Sequence, residues 1–474
     1  MTNEPGSPHI ILATCCLSLF LVTMDVTIVN IALPAIRHDL HSSVSGLQWS
    51  IDGYTVVIAS FLLLAGATGD RIGRRRTFQA GLVLFSLGSL LCSLAPTTSM
   101  LVVFRMCQAL GGAMLNPVAM SIIVTTFADP KARARAIGVW GAVFGISMAV
   151  GPLLGGALTQ HVGWRSIFWV NVPIGLVALA LTRRYVPESR AAQPRRSDPV
   201  GQLLVIVLFG TLTSAVIEGG RAGWGSPLIV GLFSASLVAL AALVLHERRR
   251  EQPLIDVRFF QSIPFSAATL CAITSFSAFA AFLFLNSLYL QEVRGLPAAR
   301  AGLYTLPIAG ALVIFAPLSG RLVAAGRART ALVLAGMGIA AGGLMLTTLE
   351  VGTSTAYLLV AYATFGIGMG LVNAPITNTA VSGMPRAQAG LAAAIASTSR
   401  QVGSGLGVAL AGAIAGGGLA AARSADFAAS THPMWWVIAF DGLVIVALGL
   451  ASTGARARAS AQRVAYLVAP PELA

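Results

Sequence analysis

A few charged and polar side chains stand inside otherwise apolar stretches of this chain, and they are where chemistry could reside. Asp25 lies a little past the middle of the run Ile10–Leu33, with Ser18 one heptad before it and Asn30 and Pro34 after it. A carboxylate at that depth in hydrocarbon costs about 2.5–3.5 kcal/mol even on the most forgiving scale. It must pair with another helix or line a wet cavity where it can take up and release a proton. No basic residue shares its stretch, which favours the proton site. Asp52 shares a helix face with Gln48 and Thr55, near the outer end of its span, where it either touches a substrate or reaches toward water. Arg105 heads a stripe with Gln108, Gly112 and Asn116. It needs an acid or several carbonyls, and Asp25 or Asp52 could supply the acid. Such a pair either tunes the proton affinity of the carboxyl or is purely structural. Ser397, Arg400, Gln401 and Ser404 form a second stripe, with Asp441 as a possible partner for Arg400. That stripe reads as a bundle-facing polar seam, with substrate contact as its second reading. Together Asn30, Gln48, Asp52, Tyr54, Gln108, Asn116, Asn373, Ser397, Arg400 and Gln401 are the candidate lining of a substrate cavity, and Asp25 and Arg105 the candidate proton-coupling pair.

The elements that hold these residues follow from composition. Of 474 residues, 56% are hydrophobic and only 10% charged, with a mean hydropathy of +0.81; a water-soluble domain carries about 25% charged residues. Apolar runs of roughly 20 residues repeat to the end of the chain, the mark of a polytopic all-α membrane protein. No alternating ten-residue pattern suggests an outer-membrane barrel. The net charge of +14 does not imply nucleic acid, because the arginines sit in loops between spans, where acidic headgroups meet them. The five cysteines lie in apolar runs with no metal or disulfide spacing. We read about fourteen spans: six near 10–33, 47–68, 77–95, 99–125, 134–160 and 166–183, two near 200–218 and 228–246, and six near 263–290, 299–322, 329–349, 355–381, 388–415 and 434–452. The first is a retained span, not a signal peptide. Asp198-Pro199 opens the seventh, a capping acid followed by proline at the first helical position.

Orientation is set by the turn Gly66–Arg76, which contains Gly66, Gly69, Asp70, Arg71, Gly73 and Arg74. Its arginines hold it at the cytoplasmic interface. With both termini inside, about twenty-three Lys/Arg fall on cytoplasmic segments and about six outside. The turn is echoed roughly 250 residues later at Gly320–Thr330, and Asn116-Pro117 is echoed at Asn373–Pro375. Pro130–Ala134 is echoed at Pro385–Ala389. Repeats of this kind are typical of transporter halves. The expected plan is a cytoplasmic N-terminus (1–9), a six-helix bundle (10–183), a linker (184–198) and two extra helices (199–246). A second linker (247–262), a second six-helix bundle (263–452) and a cytoplasmic tail (453–474) follow. Gly151-Pro152 and Gly155-Gly156 in the fifth span form a close-packing, bending element. Walker, zinc-protease, nucleophile-triad and dinucleotide patterns are absent, so neither an enzyme nor a cofactor is expected.

Several of these motifs are similar to those of a known family. Gly66–Arg76 resembles the loop signature of the major facilitator superfamily, and Asp25–Pro34 resembles the first-span motif of its fourteen-span drug:proton antiporters. Gln48-Trp49 with Asp52 and Tyr54, Arg105 with Gln108, Gly151–Gly156, and Gly163-Trp164-Arg165 through Asn171–Gly175 match further motifs, over about residues 18 to 410. The resemblance implies two six-helix bundles plus two central helices, and export of small amphipathic compounds against proton entry by alternating access. It implies that Gly66, Gly69, Asp70, Arg71, Gly73 and Arg74, with Asp129, form a cytoplasmic gate, and that Gly151, Pro152, Gly155 and Gly156 form the antiporter hinge. The expected partners are a small-molecule substrate, protons and the bilayer, for a monomer in a bacterial inner membrane. An exporter of a lipid or dedicated metabolite, or a transport-inactive sensor, are the other readings. Two departures stand out: Ala109 replaces the usual glycine after Gln108, and the thirteenth span offers Arg400 but none of the acids some multidrug relatives carry there. The second departure argues against multivalent cations as cargo.

Overall fold

The structure is a computed structural model that describes residues 7–191, 198–250, 252–385, 388–420 and 424–468. Residues 192–197 of the first linker, Arg386 and Arg423 therefore lie outside the described residues, as do 1–6 and 469–474. Every described regular element is helical. Helix α1 (Pro8–Asp39) continues past Leu33 through Pro34, since the ring forfeits one backbone bond and neighbouring helices hold the rest. It is followed by α2 (Val44–Ile72), α3 (Arg74–Ser93), α4 (Thr98–Thr126) and α5 (Pro130–His161). The sixth span is broken into α6 (Ser166–Trp169) and α7 (Asn171–Tyr185), next to Pro173, whose nitrogen cannot donate to the preceding turn. The two extra helices are α8 (Pro199–Ala222) and α9 (Pro227–Glu247).

A short 3-10 turn at Val257–Gln261 leads into α10 (Ile263–Leu288). The next span is again broken, into α11 (Ala298–Tyr304) and α12 (Leu306–Ala324), beside Pro307. Then come α13 (Ala328–Leu346), α14 (Thr355–Val381), α15 (Ala389–Ala420), α16 (Ser424–Ala451) and a final α17 (Ala455–Val468).

Among the described residues twelve helices are long and apolar enough to cross a membrane. The third and thirteenth expected spans are helical as α3 and α15 but are not among the twelve. Helix α3 opens on three arginines, and α15 carries Arg400, Gln401 and many glycines and serines.

The chain divides into two compact units, Met1–Gln202 with Leu290–Thr305, and Leu203–Tyr289 with Leu306–Ala474. In the first, α1 packs on α5 and also on α4 and α7, while α4 packs between α2 and α3. Its core gathers Leu21, Val22, Tyr54, Phe78, Phe85 and Ile122. Glycines set the closest approaches: a Cβ at Gly111 of α4 would stand 2.4 Å from the Phe85 nitrogen of α3. In the second unit α10 packs on α15 and α16, and α14 packs on α12 and α13. A Cβ at Gly403 or Gly407 would stand 2.2 Å from the carbonyl oxygen of Ile273 or Ser277. Helices α10 and α15 are therefore in backbone contact, which fixes the rotation of α15. Phe282 stacks on Phe365 at 4.6 Å and meets Tyr362 and Trp435 edge-on. These rings are packed core rather than a lipid-facing belt, whereas Trp436 is exposed.

Candidate functional site

Arg105 and Asp25 are brought together, both fully buried. Helix α4 sends the guanidinium toward α1, where Nη1 donates to Asp25 Oδ2. The second hydrogen-bond partner of Nη1 is Gln108 Oε1 at 2.7 Å, and Nε donates to the Ser50 carbonyl at 3.2 Å. The guanidinium lies over the Tyr54 ring, 4.1 Å from its centroid, a position the ring quadrupole favours. Asp25 Oδ1 accepts from Gln108 Nε2 at 2.9 Å and from Asn171 Nδ2 at 2.8 Å. Ser89 Oγ in turn accepts from both amides, at 2.6 and 3.0 Å. Helices α4 and α7 thus bond the α1 carboxylate on both of its oxygens, and α2 and α3 bond the groups that hold it.

Asn171, Ser89 and Phe168 complete this cluster, with Phe168 5.8 Å from the Arg105 carbon. Sequence reasoning placed Asn171 in a motif without giving it a site role; a lone amide at the start of an apolar half-helix was the signal. Asp52 is not the acid that Arg105 finds. Ser50 and Tyr54, one helical turn apart, face α4, and a residue midway between them points to the other side. Asp52 is fully buried and neither of its oxygens has a hydrogen-bond partner among the described residues. Gln48 is buried on the same helix. Asn30 donates to the Val26 carbonyl at 2.9 Å, and neither its oxygen nor that of the half-buried Asn116 has a hydrogen-bond partner among the described residues.

In the second unit Asn373, Ser397 and Arg400 are joined. Arg400 Nη1 donates to Asn373 Oδ1 at 3.1 Å and to Thr377 Oγ1 at 3.3 Å, and Nη2 donates to Ser397 Oγ at 3.0 Å. Gln401 is half-buried beside it. Asp441 does not pair with Arg400; its neighbour Gly442 is pressed onto the α13 backbone, 2.4 Å from the Ala340 nitrogen as a Cβ would sit.

At the charged turn, Asp70 pairs with Arg74 at 2.8 Å. Gly73 takes φ +129°, the left-handed side that suits glycine, and links α2 to α3. Gly66 approaches Pro117 and Gly69 approaches Val118, while Arg71 is exposed. Asp129 does not join Arg74. It caps α5, accepting from the Ala132 nitrogen at 2.7 Å. The turn is held instead by a residue outside the expected set, Glu188, which accepts from the Arg75 nitrogen at 3.0 Å. Backbone bonds Arg74 N to Ser189 O (2.9 Å) and Ala191 N to Asp70 O (3.1 Å) flank it.

Along α5, Gly151 and Gly155 abut Thr27 and Ile28 of α1. Gly156 abuts the Ala298 backbone of α11, and Gly302 abuts the Pro152 carbonyl. This glycine-proline element is therefore a line of close approach between helices.

A family model described as Major Facilitator Superfamily matches residues 15–408. The chain belongs to the major facilitator superfamily. It is a multi-pass membrane transporter acting on small molecules, not an enzyme. The multidrug resistance protein Stp of Mycobacterium tuberculosis (strain CDC 1551 / Oshkosh) is 38% identical over 84% of this chain and 74% of that protein. The tetracenomycin C resistance and export protein of Streptomyces glaucescens is 34% identical over 86% and 76%. The multidrug efflux pump LfrA of Mycolicibacterium smegmatis (strain ATCC 700084 / mc(2)155) is 34% identical over 87% and 82%. Among solved structures, an auto-inhibited POT family peptide transporter shares the fold at TM-score 0.66 and 19% identity, covering 94% of this major facilitator and 96% of its own chain. A bacterial homologue of the human lysosomal transporter Spinster does so at 0.61 and 17%, over 97% of both.

Proposed function

We propose that the chain is a proton-coupled antiporter that exports drugs, antibiotics or similar amphipathic compounds across the bacterial cytoplasmic membrane by alternating access. It would act as a monomer with both termini inside and fourteen spans arranged as six, two and six. Relatives named for multidrug and antibiotic resistance support the cargo class. The observation that carries the proton half is the Asp25 cluster. With Arg105 on one oxygen and two amides on the other, three of the carboxylate's roughly four acceptor sites are taken, and a proton added to it removes the negative charge that holds the guanidinium. Proton uptake is thereby tied to movement of Arg105, and through Ser50 and Tyr54 to the packing of α2 against α4. Release of the proton to the cytoplasm restores the pair. Each net charge moved exchanges about 2.3 kcal/mol per 100 mV with the membrane potential. The cytoplasmic turn that contains Gly66, Gly69, Asp70, Arg71, Gly73 and Arg74, braced by Glu188, serves as gate, and the glycine-proline line of α5 as hinge.

The test is efflux of ethidium driven by an imposed pH gradient in proteoliposomes of the full chain. Asp25→Asn should abolish gradient-driven efflux while leaving insertion intact. Should efflux survive that change and vanish in Asp52→Asn, the proton site belongs to Asp52 and the role given to Asp25 is wrong.

A further inference from the structure

Arg105 and Arg400 are neutralised differently, and the difference bears on the cargo. Arg105 has a carboxylate. Arg400 sits eleven residues into α15 with only an amide oxygen and two hydroxyls as partners, and it forms no ion pair with any described residue. Those contacts use three of its five N–H groups. Nε and one hydrogen of Nη2 meet no acceptor among the described residues, and they belong to neighbouring nitrogens of the planar fork, the arrangement a carboxylate engages with both oxygens. Arg400, Asn373 and Ser397 are half-buried and Thr377 is exposed, so the fork is reachable from one side. A guanidinium opening onto lipid tails is costly, which favours a wet surface on that side. The Phe276 ring flanks the guanidinium, 6.0 Å from its carbon, placing an apolar wall beside the charge. The glycine contacts of α15 on α10 hold the whole arrangement in register.

We propose that Arg400, steadied by Asn373, Thr377 and Ser397, binds the anionic group of a cargo, a carboxylate or phenolate carried on an aromatic or otherwise apolar compound. The assignment of cargo rests on the export reading above; the anion site itself does not.

The test uses the purified full chain in lipid nanodiscs with two xanthene dyes as probes, anionic fluorescein and cationic rhodamine 6G, read by fluorescence polarisation. Wild type should bind fluorescein. Arg400→Gln should weaken that binding at least about tenfold and leave rhodamine 6G unchanged or tighter. Asn373→Asp keeps the arginine but sets a carboxylate against Nη1. It should weaken fluorescein binding similarly, which keeps the proposal testable if Arg400→Gln misfolds. Arg400→Lys should retain the preference for the anion with reduced affinity. Absence of fluorescein binding by wild type at millimolar concentration overturns the site, as does an equal loss of both dyes in the variants. Gradient-driven export of rhodamine 6G in the first case would leave the export reading standing. Arg400-dependent fluorescein binding without export of either dye would support the site and refute that reading.

Discussion

Removing one member of the Asp25–Arg105 pair should damage the protein far more than removing both charges. In Asp25→Asn the guanidinium keeps Gln108 Oε1, the Ser50 carbonyl and the Tyr54 face, but it loses its only charged partner among the described residues. In Arg105→Gln the carboxylate keeps Gln108 and Asn171 and is left without a cation. Stranding either charge in the interior costs about 3–5 kcal/mol, and the surviving neutral bonds place both variants near the lower figure. The double variant strands no charge and loses only rearranged hydrogen bonds, about 1–2 kcal/mol. A double-mutant cycle should therefore give a coupling energy of at least about 2 kcal/mol, with the double variant more stable than either single one. The assay is equilibrium unfolding of each purified variant in mixed SDS and nonionic detergent micelles. Additive effects, with coupling below about 0.5 kcal/mol, would refute the view that the two charges depend on each other. The double variant should also be inactive in gradient-driven efflux, since the proposed proton carrier is the Asp25 carboxylate that it lacks.

Three further outcomes test the packing around the sites. Glu188→Gln should speed hydrogen exchange at the Arg75 amide and cost about 1 kcal/mol, because the charged acceptor of that N–H becomes neutral; unchanged exchange would show that the bond is not formed in the membrane. Gly73→Ala should cost about 1–2 kcal/mol in the same unfolding assay, from the positive φ and from a Cβ 2.6 Å from Glu188 Oε1. Adding Glu188→Ala should recover the steric part only. Gly403→Ala should cost about 1–3 kcal/mol by pushing α15 off the Ile273 carbonyl. It should also impair fluorescein binding, since Arg400 lies one turn away on the same helix; normal anion binding would separate the packing of α15 from the placement of that arginine.

The helical plan was legible because hydrophobicity, charge and turn glycines all report the bilayer, which punishes any exposed backbone bond. Asp25 and Arg105 were legible for the same reason: a charge within an apolar run must find a partner, and few were on offer. What stayed hidden depends on rotation and distance. The choice between Asp25 and Asp52 as partner of Arg105 turns on which face of α2 meets α4, and the sequence shows a period without its phase. Asn171 reaches Asp25 only because the sixth span breaks at Val170 and α7 starts at the level of the carboxylate. Glu188 is 113 residues from Arg75, in a linker with no periodicity to read. Asp129, expected at the gate, does the shorter-range job its position before Pro130 offers, capping α5.

The two halves of the sequence repeat share a plan, yet each uses the arginine within its helices differently. Arg105 is 1% exposed and sealed between a carboxylate and an aromatic face; it can respond to a proton, and no cargo reaches it in this arrangement. Arg400 has neutral partners and an open edge, so its charge remains available. A buried charge pair resists substitution and fixes geometry, whereas a half-open cation surrounded by neutral donors and acceptors can exchange one partner for another at little cost. On the two proposals made above, the first unit supplies the element that senses the proton, and the second supplies a contact that distinguishes cargo by charge. The two roles then separate experimentally: Asp25→Asn should abolish gradient-driven efflux of every substrate alike, while changes at Arg400 should re-rank substrates and leave the dependence on the pH gradient in place.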